Sequence, residues 1–196
     1  MKIIDTEAVI REYYPQGSPT YEILVRHGEQ VAAKALAIAG QPGFGTVDKD
    51  FLFEAALLHD IGIFMTDTPV LGCHGSHPYI CHGILGRELL ENLGLRRHGL
   101  VCERHVGVGL SVRDIREQQL PLPVRDMMPQ TLEEEIICYA DKFFSKNGHN
   151  GHKPRTIEEI VTSLGRFGED PVRRFHAWKH RFEGENESPA LPGQGN

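Results

Sequence analysis

The 196-residue sequence contains one tryptophan, four cysteines and no long uninterrupted apolar run. The cysteines are widely spaced and form no C-x-x-C pair, which argues against a thiolate zinc site or a redox motif. Free and mostly buried thiols are therefore expected at Cys73, Cys81, Cys102 and Cys138. Charged residues interrupt the N-terminal segment before it reaches signal-peptide length, and no later segment resembles a membrane span. We expect a cytoplasmic protein without a membrane partner.

An excess of basic charge is also missing. The chain has 21 Lys and Arg against 27 Asp and Glu, a formal net charge of -6. No global positive field is available to attract a nucleic-acid polymer or an anionic membrane, so neither partner is favoured. The composition fits one globular domain, placed at residues 1–183. The tail, residues 184–196, has few apolar residues to bury and is expected to be disordered. A homo-oligomer is compatible with this composition.

Helical periodicity dominates the chain, with no convincing alternation of the strand type and no internal repeat. The fold class predicted is all-α. Helices are expected at 20–39, at about 49–60, 79–94 and 98–105, after a cap at Thr131, from the capping box "TIEE", and from "EDP" to about residue 183. The long segment 65–78 is rich in turn-forming residues, which is typical of a binding loop.

Histidine is abundant, with 11 in the chain, and six histidine or aspartate side chains fall where the apolar pattern points inward. They are His27, His59, Asp60, His82, His105 and Asp141. A single inward histidine is usually a hydrogen-bonded core residue, but a buried aspartate needs a cation. Asp60 follows His59 at the end of the apolar run "AALLHDIGIF", where the negative end of a helix dipole favours positive charge. Gly62 is expected to end this helix in a left-handed turn.

The order H…HD…H…H…D, with "HDIG", "YICHGILG", "VCERHVGVG" and "YADKF", resembles the HD-domain superfamily of metal-dependent phosphohydrolases, in particular the small HDIG-type proteins. The resemblance implies a single-domain helical bundle with a metal site at its centre. It implies that His27, His59, Asp60 and Asp141 bind a first metal. It further implies that His82 and His105 bind a second, with Asp60 bridging the two. Imidazole and carboxylate ligands suit iron or manganese, with cobalt, nickel and zinc as alternatives.

The function implied is hydrolysis of a phosphate ester or anhydride of a nucleotide or another small phosphorylated molecule through a metal-activated water, with Asp60 and His59 as catalytic residues. Two alternatives stay open: a mixed-valence di-iron oxygenase of the same superfamily and a non-catalytic metal-binding interaction module. The second is weakened because all six ligand positions are filled. Side chains that suit an anionic substrate are Arg26, His77, Lys146, Lys153 and Arg155.

Overall fold

Side-chain caps determine where the first three helices begin. The computed structural model describes residues 4–146 and 153–184. Asp5 caps α1 (Thr6–Tyr13), Ser18 caps α2 (Pro19–Ala39), and Asp48 caps α3 (Lys49–Leu58). Each cap oxygen accepts a backbone N–H of the first helical turn, which would otherwise have no partner. The sequence did not predict α1.

The rest of the described chain adds α4 (His82–Asn92), α5 (Arg96–Arg104), α6 (Val112–Glu117), α7 (Leu132–Asp141), α8 (Ile157–Gly165) and α9 (Glu169–Glu183). Thr131 caps α7, and Thr156 forms a reciprocal capping box with Glu159 at the start of α8, both as predicted. Gly94, with a φ of 77°, follows the end of α4 in the left-handed region. The predicted all-α class is confirmed.

The segment between α3 and α4 departs from the expectation that the chain has no strands. Two-residue strands β1 (Asp67–Thr68) and β2 (Cys73–His74) pair antiparallel, and short 3-10 turns cover Ile61–Met65, Pro69–Leu71 and Tyr79–Cys81. Pairs this short carry no alternation of apolar and polar residues, so periodicity could not reveal them. The hairpin is a local feature at the edge of a helical fold.

Two apolar clusters meet at the carboxyl end of α3. In the first, α2 packs against α3 and α7, with Ala56 among its buried residues. In the second, α1 and the turn after α3 pack around Leu58 and Leu90, the latter from α4. All four cysteines are free and buried, as predicted. The end of α3 is therefore enclosed by packed elements on both sides.

Of the tail expected to be disordered, residues 185–196 lie outside the described part of the structure. No helix in the described part combines the length and apolar character needed to cross a bilayer.

Candidate metal centre

The six inward-pointing histidine and aspartate side chains meet at one place, where several helices end. His27 lies within α2, His59 follows α3 directly and precedes Asp60, and His82 is the first residue of α4. His105 follows α5 directly, and Asp141 is the last residue of α7. None of the six is more than 7% exposed. The carboxyl ends of α3, α5 and α7 thus face a common point, where their dipoles favour a cation.

Four of these side chains form a first group, which consists of His27, His59, Asp60 and Asp141. The His27 Nε2 lies 2.9 Å from Asp141 Oδ1 and 3.3 Å from both His59 Nε2 and Asp60 Oδ2. The His59 Nε2 lies 3.1 Å from the same Asp60 oxygen. Ligands bound about 2.0–2.2 Å from one ion at tetrahedral or octahedral angles lie roughly 2.8–3.6 Å from each other. The spacing of this group fits one ion.

A second group contains His82 and His105, whose Nε2 atoms are 3.1 Å apart. The other oxygen of Asp60, Oδ1, lies 3.4 Å from His82 Nε2 and 3.5 Å from His105 Nε2. The two groups consequently share Asp60, with one carboxylate oxygen facing each. This is the geometry of a carboxylate that bridges two cation positions.

Three of the histidines are held with Nε2 directed into the site. The Nδ1 of each approaches the carbonyl oxygen of the residue three positions earlier: His59 to Ala56 at 2.7 Å, His82 to Tyr79 at 2.6 Å, and His105 to Cys102 at 2.8 Å. A carbonyl only accepts, so Nδ1 carries the hydrogen and Nε2 of the neutral ring carries a lone pair. Backbone acceptors of this kind fix the ring orientation of metal-binding histidines.

This tautomer makes the second group unfavourable without a positive charge between its members. With Nδ1 protonated, the neutral His82 and His105 rings direct lone pairs at each other across 3.1 Å, beside the Asp60 carboxylate. Within the described residues Asp60 Oδ1 has no hydrogen-bond partner, and Oδ2 has an ion pair with the Lys146 ammonium at 2.7 Å but no well-oriented hydrogen bond. Buried polar atoms of this kind need a partner. A cation that accepts imidazole and carboxylate donors supplies it, so the residues fit a metal ion.

The electrostatics of the site favour the cation-binding state of four donors, because the carboxylates of Asp60 and Asp141 stay ionised and the rings of His82 and His105 stay neutral. Burial lowers the pKa of His82 to about 3 and also lowers that of His105. Burial opposes charge on His59 as well, but the carboxylates of Asp60 and Asp141 outweigh it and raise the His59 pKa to about 9. Without a metal the His59 ring therefore carries an extra proton, which a bound ion would displace. Against the effect of their own burial, neighbouring positive groups hold the pKa of Asp60 and Asp141 well below the usual range. The site therefore attracts positive charge.

Gly62 allows the turn after Asp60 to pack closely against α4, the helix that begins at His82. Gly62 lies inside the 3-10 turn Ile61–Met65 and does not have a left-handed φ, so the predicted role as a left-handed helix end is wrong. A Cβ at this position would lie 2.3 Å from the His82 carbonyl oxygen and 2.5 Å from the Gly86 nitrogen. The function of Gly62 is to let the turn after Asp60 contact the backbone of α4.

Comparison with known proteins agrees with this geometry. A family model described as the HD domain matches residues 24–145, more than half of the chain and a range that includes all six side chains. The chain belongs to the HD domain family. The resemblance to the HD-domain superfamily is thereby confirmed.

Curated relatives of this HD domain protein include two longer proteins and one of similar size. The chain is 30% identical over 185 residues to a tRNA (cytidine(56)-2'-O)-methyltransferase of Thermoplasma volcanium, covering 93% of this chain and 48% of the relative. A protein of the same name from Picrophilus torridus is 33% identical over 63% of this chain and 32% of its own length. An uncharacterised protein of Methanocaldococcus jannaschii is 37% identical over 71% of this chain and 74% of its own. The chain thus spans about half or less of the two methyltransferases. No solved structure gives a significant match.

Lysine side chains border the HD domain site on one side. The Lys146 Nζ lies 2.7 Å from Asp60 Oδ2 and 4.0 Å from Asp141 Oδ1, while Lys142 Nζ lies 2.8 Å from Asp141 Oδ2.

An aromatic side chain also contacts the site, since the Tyr79 ring stacks on the His82 ring with centroids 4.6 Å apart. Sequence reasoning missed Tyr79. It precedes His82 by three residues, as Ala56 precedes His59 and Cys102 precedes His105, and each of these carbonyl oxygens accepts a hydrogen bond from the imidazole.

A cavity of about 440 Å³ opens from the second group of this HD domain. Lys146 and Arg155 line it together with His82, His105 and Asp141. The other side chains predicted to bind substrate, Arg26, His77 and Lys153, do not line it. His77 and Lys153 are exposed and Arg26 is half-buried. The segment 65–78, predicted as a binding loop, contributes no residue to the cavity wall, whereas the unpredicted stretch from Val106 to Leu110 does.

Proposed function

We propose that the chain is a metal-dependent phosphohydrolase that cleaves a phosphate ester or anhydride of a nucleotide or another small phosphorylated molecule. The observation that carries this proposal is the placement of Asp60, with one carboxylate oxygen toward each of two imidazole-containing groups. Paired cation positions beside a ligand-sized cavity suit the binding and in-line displacement of a phosphoryl group. We take residues 1–183 as one domain that contains this site.

In this proposal His27, His59, Asp60 and Asp141 hold one ion, and Asp60, His82 and His105 hold the other. Iron or manganese suits the donor set best, with cobalt, nickel and zinc as alternatives. When bound, the pair of ions supplies a water of lowered pKa and neutralises phosphoryl charge. Asp60 belongs to both groups and so sets the distance between them. The His59 Nε2 lies between the two carboxylates, 3.1 Å from Asp60 Oδ2 and 3.5 Å from Asp141 Oδ1.

The substrate anion also needs positive groups that are not ligands. Lys142, Lys146 and Arg155 all line the cavity that opens from the second group. Burial alone would lower the pKa of Lys146, but Asp60, Tyr79 and Asp141 raise it far above the usual value, so its ammonium stays charged. We propose that Lys146 and Arg155 bind the phosphoryl oxygens.

The names of two relatives raise tRNA as a different substrate. Because the chain spans 48% and 32% of those methyltransferases, we propose that it corresponds to their HD domain portion rather than to the part that transfers a methyl group. The expectation that no nucleic-acid polymer is a partner stays a prediction, supported by the net charge of -6. Release of phosphate from the ends of tRNA is therefore assayed together with hydrolysis of the small esters.

The test combines metal analysis with a hydrolysis screen on the full chain. Protein stripped of metal and reloaded anaerobically with Mn²⁺ or Fe²⁺ is assayed for phosphate release from nucleotides, dinucleoside polyphosphates, sugar phosphates and tRNA. We expect Asp60→Asn to lose bound metal and at least about 100-fold of the activity, since a ligand shared by both groups is removed. The control Asp67→Asn changes an exposed aspartate on β1 and should alter neither.

Three outcomes would contradict the proposal. Full activity and metal content in Asp60→Asn would show that the six residues do not form the active centre. Oxygen consumption by the iron-loaded protein, without anaerobic phosphate release from any ester, would favour the oxygenase instead. Bound metal with neither activity would favour the interaction module.

A further inference from the structure

We propose that Tyr79 is a catalytic residue of the hydrolysis and that its phenol gives a proton to the oxygen of the leaving alcohol. This inference rests on the proposed function, because it supplies the proton donor for the bond that breaks in that reaction. The six side chains of the centre bind cations and are therefore not free to protonate an alcohol.

Tyr79 lies where the metal centre meets the cavity. Its ring stacks on the His82 ring, with centroids 4.6 Å apart and an interplanar angle of 29°. It lines the same cavity as His82 and Lys146, and it is 39% exposed. Because the side chains of the centre are buried, the alcohol portion of an ester bound there extends into the cavity. The ester oxygen then lies at the boundary that Tyr79 helps to form.

Few side chains of the described cavity wall can give up a proton at neutral pH. The guanidinium of Arg155 stays protonated in proteins. Lys142 and Lys146 each pair with a buried carboxylate of the centre, at 2.8 and 2.7 Å, which favours the charged ammonium. The Asp114 carboxylate accepts the hydrogen bonds that cap α6. The phenol of Tyr79 offers a neutral O–H, and tyrosine is one of the side chains that serve as general acids.

Lys146 orients this phenol and stabilises the negative charge that it acquires. The ammonium lies beside the Tyr79 hydroxyl and, because an ammonium cannot accept, it donates to the phenol oxygen. This contact leaves the phenol proton available to a substrate. Burial raises the pKa of Tyr79 to about 12 and the charge of Lys146 opposes that rise, so the phenol is protonated at neutral pH. The alkoxide of an aliphatic alcohol is a stronger base than a phenolate and therefore takes the proton.

The proposed step balances in atoms and charge. The oxygen of a water molecule bonds to phosphorus, the bond between phosphorus and the ester oxygen breaks, and its electron pair stays on the ester oxygen. That oxygen takes the Tyr79 proton and leaves as the alcohol. The attacking water loses one proton to solvent, and the partly exposed phenolate regains one from solvent. The reaction therefore consumes one water and no net proton.

Tyr79→Phe tests the hydroxyl separately from the other contacts of this residue. Phenylalanine keeps the ring that stacks on His82 and the carbonyl oxygen that accepts from His82 Nδ1. With Mn²⁺-loaded protein, kcat/KM for benzyl phosphate, whose alkoxide is strongly basic, should fall at least about 100-fold. For 4-nitrophenyl phosphate, whose weakly basic anion leaves without a proton, it should fall less than about threefold. The control Tyr13→Phe lies on α1, does not line the cavity and should change neither value.

Binding of orthovanadate provides a readout independent of activity, because this anion adopts the five-coordinate geometry of phosphorus during displacement. Orthovanadate should raise the Tm of the Mn²⁺-loaded wild type and of Tyr13→Phe more than that of Tyr79→Phe, which lacks the hydroxyl that donates to the apical oxygen. The rise in Tm produced by Mn²⁺ alone should be equal in the three proteins, since no metal ligand changes.

The outcomes separate this inference from the proposed function. Equal losses on the two esters, no loss on either, or an equal orthovanadate shift in all three proteins would overturn the role of Tyr79, while phosphate release still supports the proposed function. Absence of hydrolysis of any ester by the wild type would refute the proposed function and the role of Tyr79 that rests on it.

Discussion

Replacement of Gly62 by alanine tests whether the close contact between two segments holds the metal centre together. The added Cβ would lie 2.3 Å from the His82 carbonyl oxygen, 2.5 Å from the Gly86 nitrogen and 3.0 Å from the Gly86 Cα. All three atoms belong to the backbone of α4, so no side chain can rotate away. The helix or the turn after Asp60 must move by about 1 Å to restore ordinary contact distances.

The expected cost follows from this displacement. Overpacking in a well-packed interior costs about 1–3 kcal/mol, and the involvement of backbone on both sides places Gly62→Ala at about 2–3 kcal/mol. For a chain of this size, that loss lowers the Tm by about 4–12 °C. Because α4 begins at His82, the same displacement separates the second group from Asp60 and weakens metal binding.

Thermal unfolding followed by circular dichroism, with chelator and with Mn²⁺, measures both effects. The Tm of Gly62→Ala should fall in chelator, and the rise produced by Mn²⁺ should be smaller than in the wild type. Gly165→Ala is the control, because its Cβ would meet only Val172 Cγ2 at 4.0 Å. A Tm of Gly62→Ala within about 1 °C of the wild type, with an unchanged response to Mn²⁺, would refute the importance of this contact.

Three further predictions concern the centre and its surroundings. His105→Ala should bind about one equivalent of Mn²⁺ less than the wild type in calorimetric titration, because only the second group loses a ligand. The stability of metal-free protein, measured by urea unfolding, should be greatest near pH 6.5, the usual histidine pKa. Stability falls toward acid because folding lowers the pKa of His82 to about 3, so the unfolded state takes up a proton first. Stability also falls as the pH rises to 9, because folding raises the pKa of His59 to about 9 and the folded state then loses its extra proton. Arg104→Met should cost about 3 kcal/mol by leaving the buried Glu134 without its cation, and Arg104→Met/Glu134→Leu should cost less.

The helices with strong local signals were predictable from the sequence. Thr131 and the box from Thr156 to Glu159 place a cap oxygen at the start of an apolar periodic segment, and α7 and α8 begin there. The short helix α1 was not predicted, because its anchoring depends on distant contacts such as the Tyr14 hydroxyl, which donates to the Ile61 carbonyl at 2.9 Å. The strands β1 and β2 are too short to show a period.

The candidate site was predictable in its residues and only partly in its surroundings. The inward positions of His27, His82 and His105 follow from helical periodicity, and the structure brings these side chains to Asp60. The cavity wall was not predictable, because it joins segments distant in sequence, such as Val108 and Phe167. Arg26 lies next to His27 in the sequence, but one helical step turns it about 100° away, and it does not line the cavity.

The three imidazole-to-carbonyl contacts connect the stability of the fold with the affinity of the centre. The last carbonyls of a helix have no partner within it, and His59 and His105 follow the ends of α3 and α5 directly. Each Nδ1 donates to one of these carbonyls, so a single hydrogen bond satisfies the helix end and directs Nε2 toward the ion. Loss of either imidazole therefore removes a metal ligand and leaves a buried carbonyl without its side-chain donor. Variants at these two positions should lose stability even in chelator, whereas His27, whose Nδ1 has no hydrogen-bond partner among the described residues, should affect stability mainly through the metal.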